Sequence, residues 1–136
     1  MAEENKSFEV EIICPDRVFY TGKAVFLEMN TVEGRMGIYK NHIPLTSVLA
    51  PGIVRITEEG GMRKAAVHAG FVEILQDKVT MLAEIAEWPQ EIDLARAEEA
   101  RNRAESRIEE KSDQIDMARA ELALRKSLVR INLANQ

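Results

Sequence analysis

The sequence predicts an α+β fold, an antiparallel β-sandwich followed by an antiparallel two-helix hairpin, and three observations lead to this prediction. Up to residue 87, short segments rich in Val, Ile, Phe and Tyr are separated by Gly, Pro and Asp. From residue 92 to residue 133 the chain contains neither Gly nor Pro, and apolar residues recur at helical spacing. The pattern changes at Trp88-Pro89. We therefore expect a sandwich domain over residues 1–87, a linker over 88–91 and a helical arm over 92–136.

Seven segments of the N-terminal part have the composition of strands. Short strands at this spacing are typical of an antiparallel sandwich or barrel, and about 80 residues suffice for a small core. Gly60-Gly61 and Gln76-Asp77 are predicted to be hairpin turns, and Gly70 is predicted to separate two strands. The predicted strands are 8–13, 18–20, 24–29, 53–57, 65–69, 71–75 and 78–82.

The segment 33–52 does not have the pattern of a hairpin turn. Glycines and prolines frame an apolar run with few polar residues. It is either a long connection under the sandwich or an edge that binds a partner. His42, which follows Asn41 in this segment, is more often a structural hydrogen-bond donor than a catalyst.

Composition excludes several classes of function. The 136 residues are 30% charged with a formal net charge of −5, which disfavours nucleic acid and offers no basic patch for anionic lipid. The single cysteine, Cys14, excludes an internal disulfide, fits a reducing compartment and is expected to be buried. No apolar run approaches the ~20 residues that span a bilayer, and the first residues are not a signal peptide. We expect a soluble, cytoplasmic protein without direct membrane insertion.

The arm contains a repeat. The hexapeptide at residues 92–97, Ile-Asp-Leu-Ala-Arg-Ala, recurs as Ile-Asp-Met-Ala-Arg-Ala at residues 115–120. Asp93 can cap the first helix, and Ser112 or Asp113 can cap the second after a short break that makes the helices antiparallel. The seam is rich in alanine and buries little area. We therefore expect the arm to depend on docking against the sandwich, a ligand or another protein, and to have more than one conformation.

Four cations of the arm can converge if the helices are antiparallel. Arg96 and Arg103 are seven residues apart on one face of the first helix, and Lys126 and Arg130 are four apart on the returning helix. Convergent cations without a local excess of carboxylates suit a polyphosphate. The alternative is that Asp93 is only a helix cap and that Arg96 is only a solvated surface charge.

An ordered set of motifs resembles the epsilon subunit family of bacterial F-type ATP synthases. The motifs are Glu-Gly-Arg-Met-Gly-Ile at 33–38 with His42 and Pro44, Ala-Gly-Phe-Val-Glu at 69–73, Val-Thr-Met-Leu-Ala-Glu at 79–84, and Ile-Asp-x-x-Arg-Ala at 92–97. The resemblance implies a rotor subunit of the central stalk, peripheral at the cytoplasmic face of the cell membrane. Its implied partners are the gamma subunit, the c-ring and, when the arm extends, the alpha and beta catalytic subunits. The extended arm would inhibit ATP hydrolysis.

The same resemblance implies a regulatory ATP site, with or without Mg²⁺, in the folded-down arm. The family motif implies that Ile92, Asp93, Arg96 and Ala97 bind ATP. Glu87 aligns with an acidic residue of that site, and Arg103 and Arg130 align with phosphate-facing arginines. Lys126 stands where ATP-binding members carry arginine, and lysine lacks the bidentate fork. The residues implied in this ATP site are Glu87, Ile92, Asp93, Arg96, Ala97, Arg103, Lys126 and Arg130.

Partner contacts are implied for the segment that contains Glu33, Arg35 and His42. Arg35 stands at a position that is often acidic in the family and would face the c-ring. Asn41 stands where the family often has glycine, so a left-handed turn must be formed there by asparagine, which tolerates it.

Two other functional classes are alternatives to a rotor subunit. A stand-alone ATP sensor would bind ATP without co-purifying with gamma. A small enzyme is disfavoured, because the chain has no metal-ligand spacing, no Gly-rich phosphate loop and no nucleophile elbow. We therefore expect a non-catalytic subunit with neither a metal site nor a catalytic cofactor.

Overall fold

The computed structural model describes residues 5–110 and 116–136, and the predicted succession of a β-sandwich and two helices is confirmed. Neither helix in these residues is long and apolar enough to cross a membrane. The elements are β1 (Phe8–Cys14), β2 (Arg17–Ala24), β3 (Phe26–Thr31), β4 (Gly34–Ile38), β5 (Leu45–Val48), β6 (Gly52–Glu58), β7 (Gly61–Ile74), β8 (Lys78–Glu87), a 3₁₀ turn (Pro89–Glu91), α1 (Leu94–Glu110) and α2 (Met117–Ala134).

The strands form one hydrogen-bonded sheet that folds over a common core. Its order is β2-β1-β8-β7-β6-β3-β4, and β5 pairs with β7. Neighbouring strands are antiparallel except β1 and β8, which are parallel over Glu9↔Lys78 to Ile13↔Leu82. These two strands are far apart in the sequence and share no hairpin, so turn chemistry does not determine their relative direction.

The two strands predicted on either side of Gly70 are one strand, β7, so that prediction was wrong. Ala69 and Gly70 have φ angles of 61° and 119°, yet pairing with β8 continues from His68↔Ile85 to Gly70↔Ala83. Val67 and Val72 both belong to the core although they are five residues apart. The left-handed pair therefore changes which side chains of β7 face inward without ending the strand.

The segment 33–52 contains two short strands, so its interpretation as one long connection was wrong. The hydroxyl oxygen of Thr31 accepts a hydrogen bond from the Glu33 amide at 3.2 Å and donates to the Gly34 carbonyl at 2.9 Å. This side chain closes a tight turn, and β4 leaves it as the edge strand beside β3. Asn41 has a φ of 67°, which confirms the predicted left-handed turn at that residue.

Two apolar clusters organise the molecule. The larger fills the sandwich and includes Cys14, which is buried as predicted. This burial raises the pKa of the Cys14 thiol. The smaller joins the outer face of β6 and β7 to the arm through Ile53, Ala66 and Leu133, with Ile92 packed against it. The end of α2 therefore lies beside the start of the arm, which confirms that the helices are antiparallel.

Asp93 caps α1, as predicted, whereas the cap of α2 is Asp116, so the prediction of Ser112 or Asp113 for that cap was wrong. The Asp93 carboxylate accepts a 3.1 Å hydrogen bond from the Arg96 amide, and the Asp116 carboxylate accepts one of the same length from the Arg119 amide. The predicted caps Ser112 and Asp113 lie outside the described residues. The described buried residues of α1 are alanines, Ala97 and Ala104, as predicted for the first helix. Those of α2 are Ala120, Ser127 and Leu133.

Candidate functional site

The linker between sheet and arm is fixed to the sandwich. The Trp88 ring stacks on Phe19 with centroids 4.2 Å apart, and the Arg63 guanidinium lies 4.1 Å above its centroid. Arg17 forms a bidentate pair with Glu91, in which both N–O distances are 2.8 Å. Hydrogen bonding from Arg17 holds the pKa of Glu91 below its usual range. These contacts hold the start of α1 at one place on the sheet.

A cavity of about 350 Å³ lies where the end of β8, the linker and both helices meet. Glu87 is the last residue of β8, Asp93 caps α1, and Arg130 comes from the last two turns of α2. The antiparallel helices bring Arg130 opposite the first half of α1. The residues lining the cavity are Glu87, Glu91, Asp93, Arg96, Ala97, Ala100, Arg103 and Arg130.

Glu87 is the polar centre of this cavity. Its Oε1 accepts a 2.7 Å hydrogen bond from Nε of Arg130 and lies 3.3 Å from Nε2 of His68. Burial alone would raise the pKa of Glu87, but hydrogen bonds from His68 and Arg130 hold that pKa below its usual range. The carboxylate is therefore ionised at neutral pH and joins β7, β8 and α2.

The lining is mixed in charge, and its carboxylates do not outnumber its arginines. Three arginines face three carboxylates, because the linker and the end of β8 both contribute acidic residues. Arginines can bind phosphate oxygens, and carboxylates can accept hydrogen bonds from amino or hydroxyl groups. Ala97 and Ala100 have small side chains, which leave space between the arginines and the carboxylates. In the described part of the chain, no group of three or more His, Cys, Asp or Glu residues is arranged to hold a metal ion.

Six of the eight residues implied for the ATP site line this cavity, and Ile92 and Lys126 are not part of the described lining. Ile92 packs in the apolar cluster under α2. Lys126 lies one turn before Arg130, where its charge contributes to lowering the pKa of His68. Sequence reasoning missed Ala100, which helical spacing from Ala97 could have indicated. It also missed Glu91, whose position depends on Arg17.

The comparisons with known proteins agree with this architecture. The family model described as the ATP synthase delta/epsilon chain β-sandwich domain matches residues 7–89, and that of the long α-helix domain matches residues 90–135. The chain belongs to the ATP synthase delta/epsilon family. It is 39% identical over 133 residues to the ATP synthase epsilon chain of Caldanaerobacter subterraneus, covering 97% of this chain and 96% of that one. It is 44% identical over 128 residues to that of Shouchella clausii, covering 94% and 95%.

A solved structure shares this fold. A chain in the mitochondrial ATP synthase of Euglena gracilis superposes with a TM-score of 0.84 at 20% identity, covering 99% of this chain and 85% of that chain. The chain therefore has the same fold as that chain.

The three residues implied in partner contacts of this epsilon subunit lie at both ends of β4. Glu33 is exposed in the turn before the strand. Arg35 donates to the Asn30 side chain at 2.7 Å and to the Ile53 carbonyl at 3.2 Å, so it is engaged within the sheet. His42 follows the strand, with Nδ1 2.7 Å from the Ile43 carbonyl oxygen. The structure does not gather these three side chains into one site.

An exposed apolar row crosses the outer face of the sheet, and sequence reasoning missed it. Strand pairing aligns Val48 with Phe71, Phe71 with Leu82, Leu82 with Ile13, and Ile13 with Val18. Phe71 and Leu82 are 56% and 54% exposed. Contiguous exposed apolar side chains of this kind are typical of interaction surfaces. We call Val18, Ile13, Leu82, Phe71 and Val48 the apolar row.

Proposed function

We propose that this epsilon subunit is a non-catalytic regulator of the central stalk whose docked arm binds ATP in the cavity beside Glu87. The observation that carries the proposal is that the residues lining the cavity come from both the sheet and the two helices of the arm. Glu87 belongs to the sheet, Arg96 and Arg103 to α1, and Arg130 to α2. A ligand that touches all of these residues can bind only while the arm is docked.

The chemistry of the lining supports a nucleotide. Arg96, Arg103 and Arg130 would meet the phosphates, since guanidinium groups bind phosphate oxygens bidentately. Asp93 and the adjoining Ile92 would lie near the base, whose amino group needs an acceptor. Three arginines balanced by three carboxylates leave no net positive charge, so Mg²⁺ on the phosphates would reduce repulsion from Glu87 and Glu91.

Exclusive binding to the docked arm makes ATP a conformational ligand. Binding to one state stabilises it by RT ln(1 + [L]/Kd), which is about 2.7 kcal/mol at 100 times Kd. Such an amount can shift an arm whose seam is mostly alanine. High ATP would keep the arm docked and non-inhibitory, and low ATP would release it. An extended arm of about 40 residues at ~1.5 Å per residue could reach the alpha and beta subunits and inhibit hydrolysis.

The sheet surface supports assembly rather than a stand-alone ATP sensor. The apolar row exposes large hydrophobic side chains on four of its five strands, as interaction surfaces do, and we assign it to the gamma subunit. We assign the c-ring contact to the segment that contains Glu33, Arg35 and His42. In this arrangement the epsilon subunit is peripheral at the cytoplasmic face of the cell membrane, within a proton-translocating complex.

Removal of the arm tests the regulatory part of the proposal. A chain that ends at Glu91 keeps the Arg17–Glu91 pair and the Trp88 stack. The assembled enzyme should couple normally and should hydrolyse ATP faster than the parent at low ATP. The difference should shrink at high ATP, where the parent arm is docked. Equal hydrolysis at all ATP concentrations would exclude the inhibitory role.

A further inference from the structure

A buried histidine of the sheet lies between the sheet and the arm. His68 lies on β7, is 0% exposed, and its Nε2 lies 3.3 Å from Oε1 of Glu87. Its Nδ1 is also buried and has no hydrogen-bond partner among the described residues. A neutral ring that donates from Nε2 leaves Nδ1 as an unprotonated acceptor. A charged ring would place an N–H donor at Nδ1 where no described acceptor is present.

The charges that face His68 also disfavour its protonation. They are Glu87 from β8 and two cations of α2, Arg130 and Lys126. The Glu87 carboxylate already accepts the hydrogen bond from Arg130. Burial chiefly lowers the pKa of His68, Arg130 and Lys126 lower it further, and the hydrogen bond to Glu87 opposes them. The docked arm therefore holds His68 neutral.

The arm itself covers the histidine. Ala66 and His68 are two residues apart on one face of β7, and Ala66 packs against Leu133 of α2. Ser127 of the same helix is fully buried. Release of α2 would expose His68 to water, where an imidazole takes up a proton near pH 6.5.

We propose that His68 is a positioning residue that holds Glu87 toward Arg130 and couples docking of the arm to pH. The inference rests on the proposed arm movement but not on ATP binding. Because the docked state lowers the pKa of His68, docking is fully stabilised above about pH 6.5 and weakens as pH falls below that value. Between pH 8 and pH 5.5 the ratio of released to docked arms should rise, by up to about tenfold.

Energy transfer from Trp88 to the arm can measure this ratio without nucleotide. Trp88 is the single tryptophan of the chain and is stacked on the sandwich. An acceptor dye on Glu121→Cys, an exposed position of α2, reports the arm in the full chain after Cys14→Ala removes the native thiol. The same urea concentration in every sample populates both arm states. This pH range lies above the titration range of Glu87.

The matched variants are His68→Gln, which keeps an N–H donor but cannot be charged, and His42→Gln. We expect transfer to fall between pH 8 and pH 5.5 in the parent and in His42→Gln, and to stay constant in His68→Gln. An equal fall in His68→Gln, or no fall in the parent, would overturn the proposal. Ring NMR of the parent is independent of the variants, and a His68 signal that titrates near pH 6.5 while the arm stays docked would also overturn it.

Adding ATP at pH 8 separates this inference from the proposed function. If ATP leaves the transfer unchanged while the pH effect depends on His68, the ATP site fails and the role of His68 stands. If ATP raises the transfer while His68→Gln keeps the full pH effect, the role of His68 fails and the ATP site stands.

Discussion

Nε of Arg130 donates a 2.7 Å hydrogen bond to Oε1 of Glu87, 43 residues earlier in the chain. The two side chains are 26% and 22% exposed, so the pair is partly shielded from water. It ties α2 to the end of β8 beside the apolar contact between Leu133 and Ala66. Docking of the arm therefore combines a small apolar contact with a charged hydrogen bond at the wall of the cavity.

Arg130→Met should loosen the docked arm, because it leaves the Glu87 carboxylate without its shortest hydrogen bond. A hydrogen bond to a charged group contributes roughly 1.5–3 kcal/mol, and partial exposure places this one near the lower end. Amide exchange over α2 should accelerate about tenfold in the isolated chain. Arg125→Met, at an exposed position of the same helix, is the control and should exchange like the parent. Equal protection in both variants would contradict the role of the pair.

Gly70→Ala should strongly destabilise the sandwich. Gly70 has a φ of 119°, and a Cβ atom there would collide with the carbonyl oxygen of Leu82 on β8. Strain and displaced backbone together should lower the free energy of unfolding by about 3 kcal/mol or more. At Gly60 a Cβ atom meets nothing within 4 Å, so Gly60→Ala should stay within about 0.5 kcal/mol of the parent. Urea unfolding of both variants checks the prediction, and similar midpoints would refute it.

Local signals made the outline of the fold predictable. The Asp93 cap, the Gly-free arm and the short strands each follow from the chemistry of a few neighbouring residues. Long-range pairing did not follow from these signals. Nothing near β1 or β8 indicates that they are parallel, and the strand that continues through Ala69-Gly70 depends on its pairing with β8. Gly70 is a break in the pattern of the sequence, but in the sheet it is a bend within one strand.

The candidate site was predictable only in part, for a similar reason. Helical spacing and an antiparallel pair were enough to bring Arg96, Arg103 and Arg130 together. The carboxylate of Glu91 enters the lining because Arg17, 74 residues earlier, holds it there. The apolar row was missed because its five members come from five strands and two of them, Val18 and Val48, lie at strand positions without a distinctive motif.

Phe71→Glu should abolish binding to the gamma subunit, because it places a charge at the centre of the apolar row. The expected loss is at least a hundredfold in affinity, as for a buried anchor that is replaced by an unpaired charge. Met62→Glu is the control, since Met62 is 51% exposed at the other end of β7 and outside the row. Co-purification with gamma measures the effect. If Phe71→Glu binds the gamma subunit normally, the gamma subunit contacts a surface other than the apolar row.

The central claim is that the docked arm binds ATP through the first copy of the repeat, and titration calorimetry tests it most directly. Arg96 and Arg119 hold the same position in the two copies, and each backbone amide bonds to its capping aspartate at 3.1 Å. Substitution by alanine keeps both caps, but only Arg96 is in the described lining of the cavity. Arg96→Ala should weaken ATP binding by roughly 10- to 100-fold, since it removes a charged contact, and Arg119→Ala should bind like the parent. If Arg96→Ala and Asp93→Ala both bind ATP like the parent, or if the parent binds none, the motif is only a helix start and the account is wrong.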